Sequence, residues 1–363
     1  MIRKLQLISI FAIGQFSYGQ LQINTATETP NALALNVFQG PGVILSNVMY
    51  NGSVANANAI TDQVGQFTNG NTTNLGLDNG VIMSTGKATV AIGPNNVGSS
   101  SLVTSTPTPG DPDLAMLSTN AIYNKSALEF DFVPQGTQLS FDFVFASEEY
   151  PEFANSQWND VMGFFISGPG LSGPYSNNST NIALILPSTT PISINNLNNG
   201  TQNAGPCEYC LFYVNNGTGT TPNVNNTIQY DGFTTVMSAK AQLIPGETYH
   251  LKIAIANAGD NSYDSALFLK ANDLGGLSTS EFNAANNIWL SYPEKGTLLV
   301  QAGKQKQLQS ITLFDLSGKK ISEKGNIFSD HTIINLSALP KGIYAAEVMT
   351  VDNLKINKKI IVQ

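Results

Sequence analysis

The chain has 363 residues, of which 42% are hydrophobic and only 12% are charged, about half the usual charged share for a soluble protein. Residues 20–278 carry five lysines, no arginine and eighteen acidic residues, a net charge of −13. So few cations cannot neutralise a phosphate backbone, which argues against nucleic acid and anionic membranes as partners. Metal cations are the natural ligands of such a surface.

The first twenty residues have the pattern of an export signal. Two basic residues precede the apolar stretch 5–13, and Ser17 and Gly19 are the small residues that a signal peptidase requires. We expect residues 1–19 to be a signal peptide. No later apolar run approaches the roughly 18 residues that span a membrane. We therefore expect a mature chain without a transmembrane segment, secreted or held at the outer cell surface.

Alternation of apolar and polar residues predicts strands along most of the chain, with helices only at residues 32–38 and 113–119. Two strongly alternating runs lie at residues 128–132 and 139–145, and the turn-forming segment 134–137 predicts that they pair as a hairpin. Further strands are predicted at residues 161–166, 182–186, 249–256 and 265–269. So many short strands, divided by Gly, Pro and Asn turns, predict two sheets packed face to face.

The composition changes near the C-terminus, where residues 279–363 hold ten lysines and seven acidic residues. Short strands are predicted there at residues 297–300, 311–315, 332–336, 342–348 and 355–362. Residues 276–284 have the composition of a linker. We therefore predict an all-β chain with two domains, a large jelly-roll-like β-sandwich at residues 20–275 and a small Ig-like β-sandwich at residues 285–363.

Cys207 and Cys210 are the two cysteines of the chain. A C-x-x-C pair in a cytosolic protein suggests redox chemistry or half of a zinc site. This chain has no second pair to complete a zinc site, and an exported protein meets an oxidising environment. We expect a structural disulfide that pins a loop.

The C-terminal segment contains three motifs, at residues 311–320 (ITLFDLSGKK), 334–344 (INLSALPKGIY) and 358–362 (KKIIV). On these motifs it resembles the C-terminal sorting domain of the Bacteroidetes type IX secretion system. It departs from that pattern at residues 292–295, which read YPEK where such domains often open with Tyr-Pro-Asn-Pro. The resemblance implies that the export machinery of the outer membrane reads residues 285–363 as an address.

Five motifs are spread along the body of the chain. They are residues 40–48 (GPGVILSNV), 76–86 (GLDNGVIMSTG), 143–153 (FVFASEEYPEF), 159–166 (NDVMGFFI) and 258–266 (AGDNSYDSA). Over about residues 30–272 the body resembles the choice-of-anchor L domain, a module of bacterial surface proteins. The resemblance implies surface display and defines neither a ligand nor a reaction.

Acidic residues of these motifs lie where predicted strands meet loops, at Glu148, Glu149, Asp160, Asp260 and Asp264. Loops at one end of a sandwich converge, so these residues can share a site. Carboxylates gathered without a single arginine repel one another unless protons or cations intervene. Extracellular calcium takes about six to eight oxygen ligands. We therefore interpret these five residues as a calcium site.

An alternative stays open, in which each carboxylate only accepts hydrogen bonds from turn amides. Residues 260–264 imitate the start of an EF-hand loop. However, Ser265 replaces the glycine that such a loop needs at its sixth position, and Ala271 replaces the final glutamate. The sequence excludes an EF-hand.

Tyr150, Glu152, Trp158 and Asn159 lie beside these acids and are candidate ligand-binding residues, since exposed aromatic rings stack on sugars. The leading interpretation is a secreted or surface adhesion or carbohydrate-binding protein, with an extracellular glycan or a surface protein as partner. The first alternative is a secreted carbohydrate-active hydrolase, which needs paired carboxylates about 5 to 9 Å apart. A structural surface or matrix protein is the second.

Nucleophilic chemistry has little support in the sequence. His250 and His331 are the two histidines, and no G-x-S-x-G motif occurs. His250 alternates with apolar residues and shares a predicted strand face with Lys252. We expect the His250 side chain to be solvated.

Overall fold

The computed structural model describes residues 20–104, 108–219, 227–277, 288–291, 296–302, 307–315, 318–351 and 355–362. The predicted signal peptide and most of the predicted linker therefore lie outside the described residues. The chain divides into two compact units, residues 1–134 with 139–275 and residues 135–138 with 276–363. Each unit has its own hydrophobic core.

The first unit consists mainly of strands. In chain order these are β1 Gln22–Asn24, β2 Val43–Tyr50, β3 Val64–Thr68, β4 Gly80–Ser84, β5 Ile122–Pro134, β6 Gln138–Ser147, β7 Val161–Ser167, β8 Thr180–Asn181, β9 Tyr213–Asn215, β10 Gly232–Thr234, β11 Met237–Gln242, β12 Tyr249–Ala258, β13 Ser265–Lys270 and β14 Gly275–Leu277. The short helices are α1 Pro30–Leu33, a π-helix Ala34–Phe38, α2 Val54–Ala57 and α3 Pro112–Ala115. Single 3₁₀ turns lie at Gly70–Thr72, Ala88–Ala91, Ser176–Asn178, Thr201–Asn203 and Cys210–Phe212. Within the described ranges no helix has the length and apolar character needed to cross a bilayer.

Two antiparallel sheets form a sandwich. The larger sheet has the order β1-β3-β4-β13-β6-β10-β9, with β11 and β14 also paired to β6, and the smaller sheet has the order β2-β5-β12-β7-β8. Buried apolar side chains of both sheets form one core. Phe143 of β6 and Phe164 of β7 meet edge to face in this core, with ring centroids 4.8 Å apart. The all-β class predicted from the sequence is confirmed.

The predicted hairpin of β5 and β6 is wrong. β5 pairs with β2 and β12 in the smaller sheet, whereas β6 pairs with β13 and β10 in the larger one. Phe130 of β5 and Phe141 of β6 both contact Phe38, so their apolar faces bury the same side chain. The alternation identified the buried face of each strand correctly. The turn between the strands carries the chain from one sheet to the other, so the two faces oppose each other instead of lying side by side.

Two shorter predictions also need correction. The strand predicted at residues 182–186 is reduced to an isolated bridge between Leu184 and Pro191. The helix predicted at residues 113–119 ends at Ala115, after one turn capped by the side chain of Asp111. The helix predicted at residues 32–38 is present as α1 and the π-helix that continues it.

The outer faces of both sheets are also buried. Phe67, Val144 and Phe268 belong to a cluster on the outer face of the larger sheet. Phe165 and Ala254 belong to a similar cluster on the smaller sheet. Central strands such as β6 and β12 are therefore buried on both faces toward their C-terminal ends. Their apolar runs end at polar groups that gather where the strands stop.

The second unit is a smaller sandwich. Its strands are β15 Ile288–Ser291, β16 Thr297–Ala302, β17 Leu308–Phe314, β18 Lys320–Lys324, β19 His331–Asn335, β20 Gly342–Thr350 and β21 Lys355–Val362. They form the sheets β15-β16-β19 and β18-β17-β20-β21. Side chains of both sheets, including Leu298, Ile311 and Val348, share one core. This is the small Ig-like sandwich that the sequence predicts.

A disulfide joins Cys207 and Cys210 in the first unit. It closes a loop just before β9, and the backbone of Glu208 in this loop pairs with Asn198. Leu211, the residue after the disulfide, is 88% exposed. The disulfide therefore lies in a surface loop.

Candidate functional site

The acidic residues predicted as a site lie at one end of the first sandwich, because several strand ends coincide there. Ser147, the last residue of β6, lies opposite Ser265, the first residue of β13, and Gly232, the first residue of β10. Ser265 Oγ donates a hydrogen bond of 2.6 Å to Asp160 Oδ2, which links the larger sheet to the start of β7 in the smaller one. We call this region the acidic end; its carboxylates belong to Glu148, Glu149, Glu152, Asp160, Asp231, Asp260 and Asp264.

Glu149 lies in the turn after β6 and is buried. Its backbone N–H donates to Ser147 Oγ at 2.9 Å, but its carboxylate atom Oε2 is buried without a hydrogen-bond partner. Burial, together with the neighbouring carboxylates of Asp160, Asp260 and Glu152, raises the pKa of Glu149 to about 10. The structure thus brings together acids that are more than a hundred residues apart in the sequence.

Asp160 is the best-anchored carboxylate of this group. It lies directly before β7 and is buried. Its Oδ1 accepts a hydrogen bond of 2.8 Å from the backbone N–H of Ala258, and its Oδ2 accepts the bond from Ser265. Burial nevertheless raises the pKa of Asp160 to about 8. Asp260 is half-buried, and its Oδ1 accepts a hydrogen bond of 2.8 Å from Ser262 N–H, so Asp260 connects the group to the surface.

Glu148 has a different set of charged neighbours from Glu149. Its side chain is fully buried, and neither carboxylate oxygen has a hydrogen-bond partner. Burial, followed by the charges of Asp231 and Asp264, raises the pKa of Glu148 to about 10. The Ser100 N–H and the Gln229 amide lie near enough to lower this pKa somewhat, but neither forms a hydrogen bond with the carboxylate.

Asp264 and Asp231 complete the group around Glu148. Asp264 Oδ2 accepts a hydrogen bond of 2.7 Å from Leu102 N–H, and burial raises its pKa to about 7. Asp231 Oδ1 accepts a hydrogen bond of 2.7 Å from Asn95 Nδ2, and burial raises its pKa to about 7 as well. Asp231 Oδ2 is buried without a partner. Each of the two aspartates therefore fastens a loop to the end of a strand.

No salt bridge joins a lysine to the acidic end within the described residues. The ion pairs of lysine in the first unit lie elsewhere, between Lys87 and Asp62, Lys125 and Asp111, Lys252 and both Asp111 and Asp113, and Lys270 and both Asp142 and Asp273. In the same part of the chain, no three acidic, histidine or cysteine side chains are arranged to hold a metal ion. A cation at the acidic end would therefore need backbone, amide or water oxygens besides its carboxylates.

Three aromatic rings lie next to the acidic end. Phe153 packs edge to face against Trp158 and Tyr263, with ring centroids 5.0 and 5.1 Å apart. All three residues are half-buried, so none of them is fully covered by the protein. Trp158 was a predicted ligand-binding residue. Phe153 and Tyr263 were missed, although both stand next to acids in the motifs of the body.

The other three predicted ligand-binding residues differ in their accessibility. Tyr150 is fully buried, its ring lies tilted against that of Tyr213 with centroids 4.9 Å apart, and its hydroxyl donates a hydrogen bond of 2.6 Å to the Leu197 carbonyl. The expectation that Tyr150 offers an exposed ring is therefore wrong. Asn159 is half-buried and accepts a hydrogen bond from Asn195 N–H at 2.8 Å. Glu152 is half-buried too, and its Oε2 atom has no partner.

His250, which we expected to be solvated, is solvated only in part, and Lys252 on the same strand face is buried. Loops cover the outer face of the smaller sheet, so Lys252 is buried, and its Nζ pairs with Asp111 at 2.8 Å and Asp113 at 2.5 Å. Burial alone would lower the pKa of Lys252, but the two aspartates outweigh it and raise that pKa. His250 is half-buried, and its Nδ1 lies 2.8 Å from Asp131.

Asp231 is the acid that sequence reasoning missed. It stands directly before β10, as Asp160 stands before β7 and Asp264 before β13. The same rule, an acid where a loop becomes an apolar strand, would have found it in Tyr230-Asp231-Gly232-Phe233. The sequence does not place Asp231 in the site, because its partner Asn95 lies far away along the chain.

Three solved structures show weak similarities to this chain. An immunoglobulin-like β-sandwich protein of the DUF3244 family from Bacteroides vulgatus has 14% identity and a TM-score of 0.19, and the match covers 21% of this chain and 85% of that chain. A β-1,2-glucanase from Parabacteroides distasonis has 8% identity and a TM-score of 0.22, with 90% of this chain and 38% of that chain covered. The BSP domain of a biofilm-associated protein has 6% identity and a TM-score of 0.18, with 74% and 52% covered. Scores this low carry no argument about function.

No curated protein matches the sequence significantly. Two family models do match it, and they divide the chain as its two sandwiches do. One is the choice-of-anchor L domain, at residues 22–275, and the other is the secretion system C-terminal sorting domain, at residues 292–363. The chain therefore belongs to the choice-of-anchor L domain family and carries the sorting domain of a protein exported by the type IX secretion system.

Proposed function

We propose that the first sandwich is a calcium-dependent binding module, which holds an extracellular glycan or a surface protein at its acidic end after export. The observation that carries the proposal is Glu149, a buried carboxylate with an unpartnered oxygen, three acidic neighbours and no lysine partner within the described residues. An isolated buried carboxylate is costly unless a proton or a cation neutralises it. Calcium is the abundant extracellular cation that prefers oxygen ligands.

The residues fit calcium in donor chemistry. Glu149 offers one carboxylate, and either Glu152 or Asp260 can offer a second; both of these are half-buried, which leaves a route from solvent. Asp160, whose two oxygens already accept hydrogen bonds, would orient the group. The remaining ligands would be carbonyl, amide or water oxygens, since no three acids are arranged as a metal site within the described residues. Calcium tolerates such mixed sets.

The aromatic rings support a ligand surface beside the ion. Phe153, Trp158 and Tyr263 form a half-exposed group, and partly exposed rings are well suited to stack on sugars or to pack against a protein. Gly259 allows Trp158 to approach, because a Cβ on Gly259 would lie 3.1 Å from Trp158 Cδ1. An ion at Glu149 and Asp260 would hold the loops that carry these rings.

A hydrolase is less well supported by the same geometry. A catalytic carboxylate must reach the glycosidic bond of its substrate. Glu148 and Glu149 are buried, and the carboxylates of Asp160 and Asp264 are committed to backbone or hydroxyl donors. We therefore rank binding above hydrolysis.

The calcium part of the proposal is tested by titration calorimetry and thermal unfolding of the purified protein, with calcium and with a chelator. We expect binding and a rise in melting temperature for the wild type, since a ligand of the folded state stabilises it by mass action. Glu149→Gln should reduce both effects, whereas Glu208→Gln, the same change at an exposed glutamate, should not. An unchanged melting curve in calcium and no heat in the wild type would exclude calcium as a cofactor.

The ligand part is tested by a glycan array and a polysaccharide pull-down, each with and without calcium. We expect retention that depends on calcium and is lost in Trp158→Ala. Release of reducing ends from a retained polysaccharide would instead establish hydrolysis. Absence of any retained glycan or captured surface protein, together with self-assembly, would favour a structural matrix role and contradict the binding proposal.

A further inference from the structure

A second group of carboxylates lies around Glu148 and is more enclosed than the group around Glu149. Glu148 and Asp231 are both fully buried. Three of their four carboxylate oxygens, Glu148 Oε1, Glu148 Oε2 and Asp231 Oδ2, have no hydrogen-bond partner. Buried polar atoms in folded proteins are nearly always paired, so three unpaired oxygens from two neighbouring acids indicate that something else neutralises them.

The fourth oxygen shows how Asp231 is held. Asp231 Oδ1 accepts a hydrogen bond from Asn95 Nδ2, which also donates to the Asn216 carbonyl at 3.1 Å. The backbone N–H of Asn216 in turn donates to the Asp231 carbonyl at 2.8 Å. These bonds fix the aspartate while its Oδ2 atom stays free. Gly98 lies beside that atom: a Cβ added to Gly98 would be in ordinary van der Waals contact with it, at 3.6 Å.

Loop segments enclose Glu148. The backbone N–H of Glu148 donates to the Asp264 carbonyl at 3.1 Å, and the N–H of Asp264 donates to the Ser100 carbonyl at 3.2 Å. Leu102 N–H then binds the Asp264 carboxylate. Residues 95–102 thus pass over the end of β6 and contact both aspartates. Gln229 closes the enclosure by donating to the Val97 carbonyl at 2.7 Å.

We propose that Glu148 and Asp231 bind a second cation, a divalent ion that prefers oxygen ligands, with calcium as the best match. The three unpaired carboxylate oxygens favour an ion of this class. Carbonyl, amide or water oxygens would supply the remaining ligands, a mixed set that calcium accepts. The ion would tie the loop 95–102 and Asp231 to the end of β6. This site is separate from the one at Glu149 and does not depend on it.

A proton or a water molecule in place of the ion would give a different measurement. In the first case, one or both acids are protonated and share a proton, so no metal binds. In the second, an ordered water fills the space, as waters do beside buried polar groups. In both of these cases removing a carboxylate leaves the metal content of the protein unchanged.

The test is metal analysis of the purified full chain, dialysed against calcium and then against metal-free buffer. We expect the wild type to carry one more calcium ion per chain than Glu148→Gln and Asp231→Asn. Both substitutions keep the side-chain size, and each removes one charge. Glu208→Gln is the matched control and should keep the wild-type content. Equal calcium content in the wild type and both variants would overturn the proposal.

A second readout covers variants that fold poorly and separates this site from that of Glu149. Terbium luminescence reports an ion at an oxygen-lined site when an aromatic side chain lies near that site. Tyr230 is buried near Glu148, and Trp158 lies beside the group of Glu149. Emission excited through tyrosine should fall in part in Asp231→Asn and in part in Glu149→Gln, because Tyr230 lies near Glu148 and Tyr263 lies beside the Glu149 group. If it disappears in Glu149→Gln alone, only the site of the proposed function exists. If neither variant nor wild type shows terbium emission, the second site does not exist.

Discussion

Gly86 lies directly against the carboxylate of Asp264: a Cβ built on Gly86 would fall 2.1 Å from Asp264 Oδ2 and 2.4 Å from its Cγ. The carboxylate cannot move away freely, because Leu102 N–H holds the same oxygen at 2.7 Å. Residue 86 ends one of the family motifs of the sequence. The absence of a side chain there is thus a requirement of the acidic end.

Gly86→Ala should destabilise the first sandwich by about 1 to 3 kcal/mol, the usual cost of forcing an extra methyl group into a packed site. Chemical denaturation measures this loss. Gly275→Ala is the control, since the nearest atom to its added Cβ is 3.5 Å away. Equal stability of both variants would show that Asp264 can leave its position at little cost.

Lys252→Met should destabilise the sandwich by about 3 to 5 kcal/mol, because it leaves Asp113 buried without its cation and Asp111 with Lys125 alone, 4.0 Å away. The pKa of Asp113 is held below its usual range although burial raises it, since Lys252 and Ser176 bind the carboxylate. Equilibrium unfolding in denaturant measures the effect. Lys240→Met removes an exposed lysine and should change stability little. A similar loss in both variants would contradict the importance of the buried pair.

His250 should titrate above the usual range for histidine. Its hydrogen bonds with Glu129 and Asp131 raise its pKa, and burial opposes them only in part. A raised pKa in the folded state means that His250 stabilises the protein below the histidine pKa of the unfolded chain. This contribution is lost as the pH rises through the folded pKa. Nuclear magnetic resonance titration of the His250 ring gives the value, and Asp131→Asn should lower it. A ring that titrates as in a free peptide would contradict the ion pair.

The metal-free protein should become less stable as the pH rises. Burial raises the pKa of both Glu148 and Glu149 from 4.5 to about 10, so the folded state binds more protons than the unfolded state between these values. The stabilising contribution of these two groups is therefore fully present below about pH 4.5 and is lost as the pH approaches 10. Melting curves in chelator at about pH 5 and about pH 9 measure the slope. Calcium should raise the melting temperature more at the higher pH, where protons compete less.

If calcium raised the melting temperature equally at both pH values, it would not replace the protons of the acidic end. Glu149→Gln in chelator should flatten the pH dependence, because one of the shifted groups is gone. Glu208→Gln should leave the slope unchanged. These variants separate the acidic end from the rest of the molecule.

Much of the fold follows from local sequence patterns. β7, β12 and β13 were predicted within two residues of their observed bounds, because alternation and long apolar runs mark a strand wherever it lies. The partners of the strands were not predictable in this way. β5 and β6 enter different sheets, although the turn between them has the composition of a hairpin turn.

The site shows the same division. The rule that acids stand at strand ends found Glu148, Glu149, Asp160, Asp260 and Asp264, since the rule is local. The rule did not predict that Glu148 and Glu149 would join separate groups, or that Asp231 belongs with Glu148. The rule also does not predict which side chains are exposed. Tyr150 is buried because Leu197 and Tyr213 cover it, and both come from distant parts of the chain.

The sequence by itself determined the family, the export address, the all-β class and the excess of acids in the body, because motifs, periodicity and charge are properties of neighbouring residues. Tertiary structure alone decided which carboxylates meet, which oxygens lose their partners and which aromatic rings stay accessible. Burial and electrostatic coupling depend on distances between strand ends that are up to about two hundred residues apart along the chain. Such distances are set only when the two sheets pair and pack.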